Sequence, residues 1–196
     1  MRSGVRHDTR YNDVVPFIIR DFQPTDFETL WRIDQDCFPP GISYSRTELK
    51  TYMRCRGSFT LVAVDGEKGE SVNPGPGKSG KYSPATSFTD GAIAGFIVAE
   101  TDSRGSGHII TIDVTAATRR SGIGSLLLRA AEERLRAARC STVELETAVD
   151  NVSALSFYKR HGYSVTRTFP RYYSNGVDAL VLEKNLKGHL PKEVRK

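Results

Sequence analysis

The residues Arg119-Arg120-Ser121-Gly122-Ile123-Gly124 are of types that suit anion binding. An apolar, β-branched run (Ile109, Ile110, Ile112, Val114) leads into them, and apolar residues at helical spacing (Leu126, Leu127, Ala130, Ala131, Leu135, Ala138) lead out. A strand, Gly-rich turn and helix in this order present several backbone N–H groups at the positive end of a helix dipole, where a phosphate is stabilised. Gly122 and Gly124 have no Cβ, so a bulky phosphate ligand can approach the main chain. Two other nucleotide sites fail on the residues. A Walker loop needs Gly-Lys-Ser/Thr, but Gly124 is followed by Ser125-Leu126; a dinucleotide fingerprint needs a third glycine where Leu127 stands.

The elements that must hold this loop can be read from periodicity and punctuation. Residues 17–20 read as a short opening strand. Thr25 and Asp26 are cap-type residues before Phe27, Leu30, Ile33 and Cys37, whose spacing is helical, and Pro39-Pro40-Gly41 end that helix. Ser45 precedes a second short helix over 46–54, and strands follow at 59–64 and 93–100. Residues 65–91, rich in Gly, Ser, Pro and Lys, read as a flexible hairpin insertion. Beyond the loop and its helix come a strand at 142–146, a helix at 153–160 closed by Gly162, and strands at 163–167 and 179–183 joined by an aromatic loop over 172–176. The predicted order is β-α-α-β-β-β-α-β-α-β-β, an α/β (α+β) fold built on a mixed, largely antiparallel sheet of six to seven strands flanked by about four helices.

The chain of 196 residues is long enough for one domain with a real core, predicted over 16–186 with tails at 1–15 and 187–196. No stretch approaches the roughly 18 to 20 apolar residues of a membrane span, and residues 1–13 lack an apolar signal core. Cys37, Cys55 and Cys140 fit neither a disulfide framework nor a zinc pattern, so reduced, mostly buried thiols, no metal and a cytoplasmic location are expected. The net charge of +5 is modest and comes with no nucleic-acid-binding signature, so no direct nucleic-acid partner is expected.

A second motif follows the Gly-rich loop: Asn151-x-x-Ala154-x-x-x-Tyr158-x-x-x-Gly162-Tyr163. Together with Arg119-x-x-Gly122-x-Gly124 it resembles the acetyl-coenzyme A core of the GNAT acetyltransferase superfamily. Arg20 with Asp26, Cys37-Phe38-Pro39, Leu145-Glu146 and Arg171-Tyr172-Tyr173 with Asp178-Ala179 are similar to protein N-terminal acetyltransferases, of the bacterial type that acetylates the N-terminal alanine of a ribosomal protein. The insertion, His161 and Asp113 depart from that pattern.

The resemblance implies an acetyl-CoA-dependent N-acetyltransferase working by direct attack in a ternary complex, with no covalent acyl-enzyme. The cofactor would be held by Ile112, Asp113 and Val114 along the pantetheine arm, by Arg119, Arg120, Ser121, Gly122, Ile123, Gly124 and Ser125 at the pyrophosphate, and by Asn151 and Tyr158. Asn151 is equally a helix N-cap. Glu146 would be the general base, although Glu144 shares its strand face and periodicity does not choose between them. Tyr158 would be the general acid; its other reading is a packed core aromatic. Phe38, Pro39, Ile42, Tyr172 and Tyr173 would line the acceptor side, the tyrosines being readable also as cross-strand packing. The acceptor implied is a protein N-terminus, with a small amine, a Lys side chain or a non-catalytic acyl-CoA sensor as alternatives. The oligomeric state expected is monomer or homodimer.

Overall fold

The computed structural model describes residues 17–66, 91–102 and 104–187. The predicted N-terminal tail, all of the predicted C-terminal tail but Lys187, and most of the predicted insertion lie outside them. Seven strands form one sheet: β1 (Phe17–Asp21), β2 (Ser58–Asp65), β3 (Ile93–Thr101), β4 (Ser106–Val114), β5 (Thr142–Ala148), β6 (Ser164–Phe169) and β7 (Ala179–Asn185). Four α-helices flank it: α1 (Phe27–Cys37), α2 (Arg46–Arg54), α3 (Ile123–Ala137) and α4 (Val152–Arg160). The spatial order is β1-β2-β3-β4-β5-β7-β6, antiparallel throughout except for the parallel pair β4/β5. The predicted element order and sheet type hold, with strand ends moved by a few residues; β6, for example, starts at Ser164 and runs to Phe169.

Local chemistry explains the helix ends. The Ser45 hydroxyl accepts the Glu48 N–H while the Glu48 carboxylate accepts the Ser45 N–H, a reciprocal cap that starts α2. Gly162 takes a φ of +85 after α4, where the Tyr163 N–H reaches back to the Tyr158 carbonyl. Helix α3 ends with the same hydrogen-bond pattern, but Arg139 occupies the left-handed position with a φ of +67.

The sheet separates two apolar layers. On one face Leu127, Leu128, Ala131 and Leu135 of α3 pack on Ile97, Ile109, Val143, Leu145 and Leu182. On the other, Phe27, Leu30 and Ile33 of α1 and Leu49 of α2 pack on Val62, Val64, Phe96 and Val98. Of the three thiols, Cys140 is buried as expected, Cys37 is half-buried and Cys55 is exposed, because it follows α2 at the surface rather than facing the sheet.

The β4/β5 pair positions the site. It is paired only from Ser106 opposite Thr142 to Ile109 opposite Leu145. The register of β4 against β3 slips at this point, with Val98 opposite Thr111 and Ala99 opposite Ile109, so that Ile110 is an extra residue. Such a bulge bends the strand that carries it. Beyond Leu145 the two strands part, and the sheet opens between them.

Candidate active site

A cavity of about 1030 Å³ occupies the opening. It is lined from both faces of the sheet: Ile109, Leu145, Ile123 and Tyr158 belong to the α3 side, Ile110 and Tyr44 to the α1 side. A ligand in it therefore passes through the sheet, with a donor half near α3 and α4 and an acceptor half near α1.

In the donor half, the loop before α3 has Arg120 at φ +66 and Gly122 at φ +91. Gly122 is required by that conformation, since an added Cβ there would meet nothing within 4 Å. At Gly124 a Cβ would come within 3.4 Å of the Phe157 ring. Among the described residues no side chain caps the start of α3, so its first-turn N–H groups could meet a ligand. This uncapped, left-handed turn fits an anionic pyrophosphate. Arg119, Arg120, Gly122, Ile123, Gly124 and Ser125 line the cavity; the Ser121 hydroxyl instead donates to the Thr118 carbonyl. Arg119 turns back from the loop: its Nε donates to the Val114 carbonyl at 3.1 Å and its Nη2 to Cys37 Sγ at 3.5 Å.

Ile112 and Val114 also line the cavity, but Asp113 does not. Strand alternation sends its side chain to the other face, where it is 1% exposed and accepts the Thr111 hydroxyl. There it faces Asp34 of α1, and each of the two carboxyls has one oxygen without a partner among the described residues. Burial, then the charge of Asp34, pushes the Asp113 pKa well up, and burial pushes Asp34 up to about 6. The second Asp34 oxygen accepts the Tyr44 N–H at 2.8 Å, which ties the 38–44 loop to α1.

Asn151 performs one of its two expected roles within the chain, accepting the Ala154 N–H at 3.1 Å as the α4 cap, and it also lines the cavity. Tyr158 is both packed and placed at the cavity. Its ring meets Phe157 and Tyr163 edge-on at 5.1 and 5.5 Å, and only 6% of its surface is exposed. Burial, reinforced by the charge of Asp113, raises the phenol pKa, so Tyr158 stays protonated.

In the acceptor half, Glu146 lines the cavity and is 14% exposed, whereas Glu144 is 35% exposed, pairs with Arg167 at 2.8 Å and does not line it. Glu146 Oε2 lies 2.7 Å from His108 Nε2, and His108 Nδ1 lies 3.7 Å from Glu100. Burial opposes charge on this imidazole. The hydrogen bond to Glu146, with the charges of Glu146, Glu100 and Glu144, outweighs it, and the His108 pKa is raised above 6.5. His108 is a residue the sequence reading missed as a partner of Glu146. Their contact depends on β4 lying parallel to β5, with His108 opposite Glu144, and no local pattern announces that pairing.

Phe38, Pro39, Ile42, Tyr172 and Tyr173 all line the acceptor half, joined by Cys37, Tyr44 and Val177. The tyrosines pack as well as line: Tyr172 stacks on Phe169 at 5.9 Å and meets Tyr173 edge-on at 5.1 Å. The Ser174 hydroxyl donates to the Gly41 carbonyl at 3.1 Å, so the two acceptor loops touch. Burial, with the charge of Asp113, raises the Cys37 pKa, and its thiol donates to the Val114 carbonyl at 3.4 Å. A protonated thiol in this setting is a poor nucleophile.

This arrangement has known counterparts. Residues 78–163 match the model of the acetyltransferase (GNAT) family. An uncharacterized N-acetyltransferase of Methanocaldococcus jannaschii is 40% identical over 105 residues, covering 52% of this chain and 67% of that protein. The chain belongs to the GNAT acetyltransferase family. Human N-alpha-acetyltransferase 30 is 40% identical over 77 residues, 39% of this chain and 21% of the human one, so the chain spans only a part of that longer relative. Among solved structures, Ard1 from Thermoplasma volcanium superposes with a TM-score of 0.67 at 26% identity, over 86% of this chain and 97% of that one. The family membership, the fold and the acyltransferase class expected from the sequence therefore stand. No described helix is long and apolar enough to cross a membrane, and no described group of His, Cys, Asp and Glu could hold a metal.

Proposed function

We propose that the protein transfers acetyl from acetyl-CoA to the N-terminal α-amine of a protein. The observation that carries this reading is a single cavity running through the parted β4/β5 strands, with an anion cradle at one end and Glu146 with His108 at the other. Human N-alpha-acetyltransferase 30, similar over 77 residues, bears a name that supports an α-amine acceptor.

Acetyl-CoA supplies the acetyl group as a thioester; the chain supplies position and proton transfer. The N–H groups of the loop and of the α3 start, with Arg120, would hold the pyrophosphate. Ile112 and Val114 would flank the pantetheine arm, an N–H near Val114 would polarise the thioester carbonyl, and Asn151 would add a polar contact. Glu146 takes the proton from the attacking amine, directly or through a water. His108 orients that carboxylate and links it to Glu100 at the surface. Tyr158 gives a proton to the departing thiolate.

The acceptor follows from proton affinity. An α-amine with a pKa near 8 is roughly a tenth deprotonated at neutral pH, a Lys amine with a pKa of about 10.4 less than one part in a thousand. One carboxylate backed by an imidazole is enough base for the former. Tyr172, Tyr173 and the 38–44 loop form a largely aromatic and aliphatic entry that suits an extended peptide. The narrower assignment to a ribosomal-protein alanine rests on the sequence resemblance. Coenzyme A release with peptides of differing first residue, with N-blocked peptides and with polyamines tests the reading. Turnover only with free α-amines is expected; equal turnover on N-blocked, Lys-containing peptides or on polyamines would refute it.

A further inference from the structure

The acceptor loop 38–44 is pinned at both ends, by different parts of the molecule. At its far end the Tyr44 N–H donates to the Asp34 carboxylate at 2.8 Å. The Tyr44 carbonyl accepts from Gln35 Nε2 at 2.8 Å and from Trp31 Nε1 at 3.2 Å. These partners all belong to α1, the helix that the loop leaves. Within the loop the Ile42 and Ser43 N–H groups both donate to the Pro39 carbonyl at 3.1 Å, so the place of this turn depends on where the chain enters it.

The entry is Cys37, the last residue of α1, and here the grip comes from the donor half. The Cys37 thiol donates to the Val114 carbonyl at 3.4 Å. Arg119 closes a triangle with them: its Nε donates to the same carbonyl at 3.1 Å and its Nη2 to Cys37 Sγ at 3.5 Å. The base of Arg119 is itself braced. The Thr118 hydroxyl donates to the Ala94 carbonyl of β3 at 3.2 Å, and the Ser121 hydroxyl to the Thr118 carbonyl at 2.6 Å. One guanidinium thus joins the loop before α3, the open end of β4 and the start of the acceptor loop.

Arg119 heads the Arg-x-x-Gly-x-Gly motif, yet its Nε and one Nη meet acceptors within the protein. We propose that Arg119 is a positioning residue for the acceptor. It acts as a strut from the donor loop to Cys37, fixing where Phe38 and Pro39 stand in the cavity wall and so how a peptide seats opposite Glu146. A guanidinium suits this work because its donors are set in one rigid plane and can serve two acceptors at once, which a flexible ammonium does less well. The inference rests on the α-amine reading of the acceptor half.

Hydrogen exchange and steady-state kinetics test the strut together. Without any substrate, Arg119→Gln should speed amide exchange at Ile42, Ser43 and Tyr44 by about fivefold, with α3 and β5 unchanged. With saturating acetyl-CoA and a peptide bearing a free N-terminal alanine, its KM for the peptide should rise about fivefold while kcat changes by less than about twofold. Coenzyme A affinity, read by calorimetry, should also change by less than about twofold. Cys37→Ala should raise the same KM, and the double variant should add nothing to Arg119→Gln, as for two residues acting as one unit. Arg119→Lys should recover only part of the loss. Weaker coenzyme A binding with an unchanged peptide KM overturns the proposal and assigns Arg119 to the pyrophosphate. A lower kcat with Cys37→Ala silent overturns it in favour of an effect on Val114 alone, and unchanged exchange at 42–44 removes the strut. A wild-type protein that leaves the peptide unacetylated refutes the acceptor reading instead, and the exchange rates still decide whether Arg119 holds the loop.

Discussion

Glu144 and Glu146 differ by two positions on one strand face, and their surroundings give them different work. Arg167 pairs with Glu144 outside the cavity, while Glu146 lines the cavity and, among the described residues, pairs with His108. Glu146→Gln is expected to lower kcat roughly 100-fold, with Glu144→Gln close to wild type. Tyr158→Phe keeps the ring packing and removes the proton donor. It should slow turnover only about tenfold, because a thiol of pKa near 8.5 is a fair leaving group. A loss of all activity with unchanged coenzyme A binding would contradict that role. Asp113 yields a prediction about stability. Its pKa and that of Asp34 are raised in the folded state, so the folded protein binds protons more tightly than the unfolded chain. The associated penalty is absent below the unfolded value of about 3.9 and grows as pH rises through about 6. Asp113→Asn should therefore gain in melting temperature relative to wild type as pH is raised from 4 to 8. An offset independent of pH would show that the pair carries no such penalty.

At the scale of elements, the helix ends and the strand neighbours were legible to different degrees. Gly162 after 153–160, the proline stop after α1 and the Gly-rich start of α3 are local signals, written in adjacent residues, and the chain folds as they say. Asn151 and Tyr158 fall on the cavity because motif spacing fixes them on one short helix. The His108–Glu146 contact and the reversal of Asp113 away from the cavity depend on which strands pair and where a bulge falls, and these are long-range properties. Buried Glu132 was likewise unreadable. It sits on α3 among polar residues, yet only 3% of it is exposed, with Lys184 Nζ of β7 at 2.7 Å, Arg136 at 3.0 Å and the Tyr163 hydroxyl at 3.1 Å. Removing the carboxylate leaves a cation stranded at a helix–sheet contact. Glu132→Ala is expected to cost about 3 kcal/mol in urea unfolding. The other end of α3 offers a gain. Arg139 holds a left-handed conformation that costs a residue with a Cβ about 1 kcal/mol, so Arg139→Gly should raise stability by about that amount. An unchanged or lower midpoint would mean that the arginine has a compensating contact.

Across the whole molecule, the sheet consists of two antiparallel plates, β1-β2-β3-β4 and β5-β7-β6. They meet through the four residue pairs from Ser106/Thr142 to Ile109/Leu145. Helix α3 packs on both plates beside this seam, and α1 packs on one. In mechanical terms the sheet resembles a hinge with a short pin, and cavity-lining residues stand on either side of its open jaw: Val114 on one plate, Glu146 on the other. A molecule wedged in the jaw would bridge the plates and bear part of the load that the missing ladder would have carried. Rigidity would then be something the donor confers, and the jaw would have its working width before an acceptor arrives.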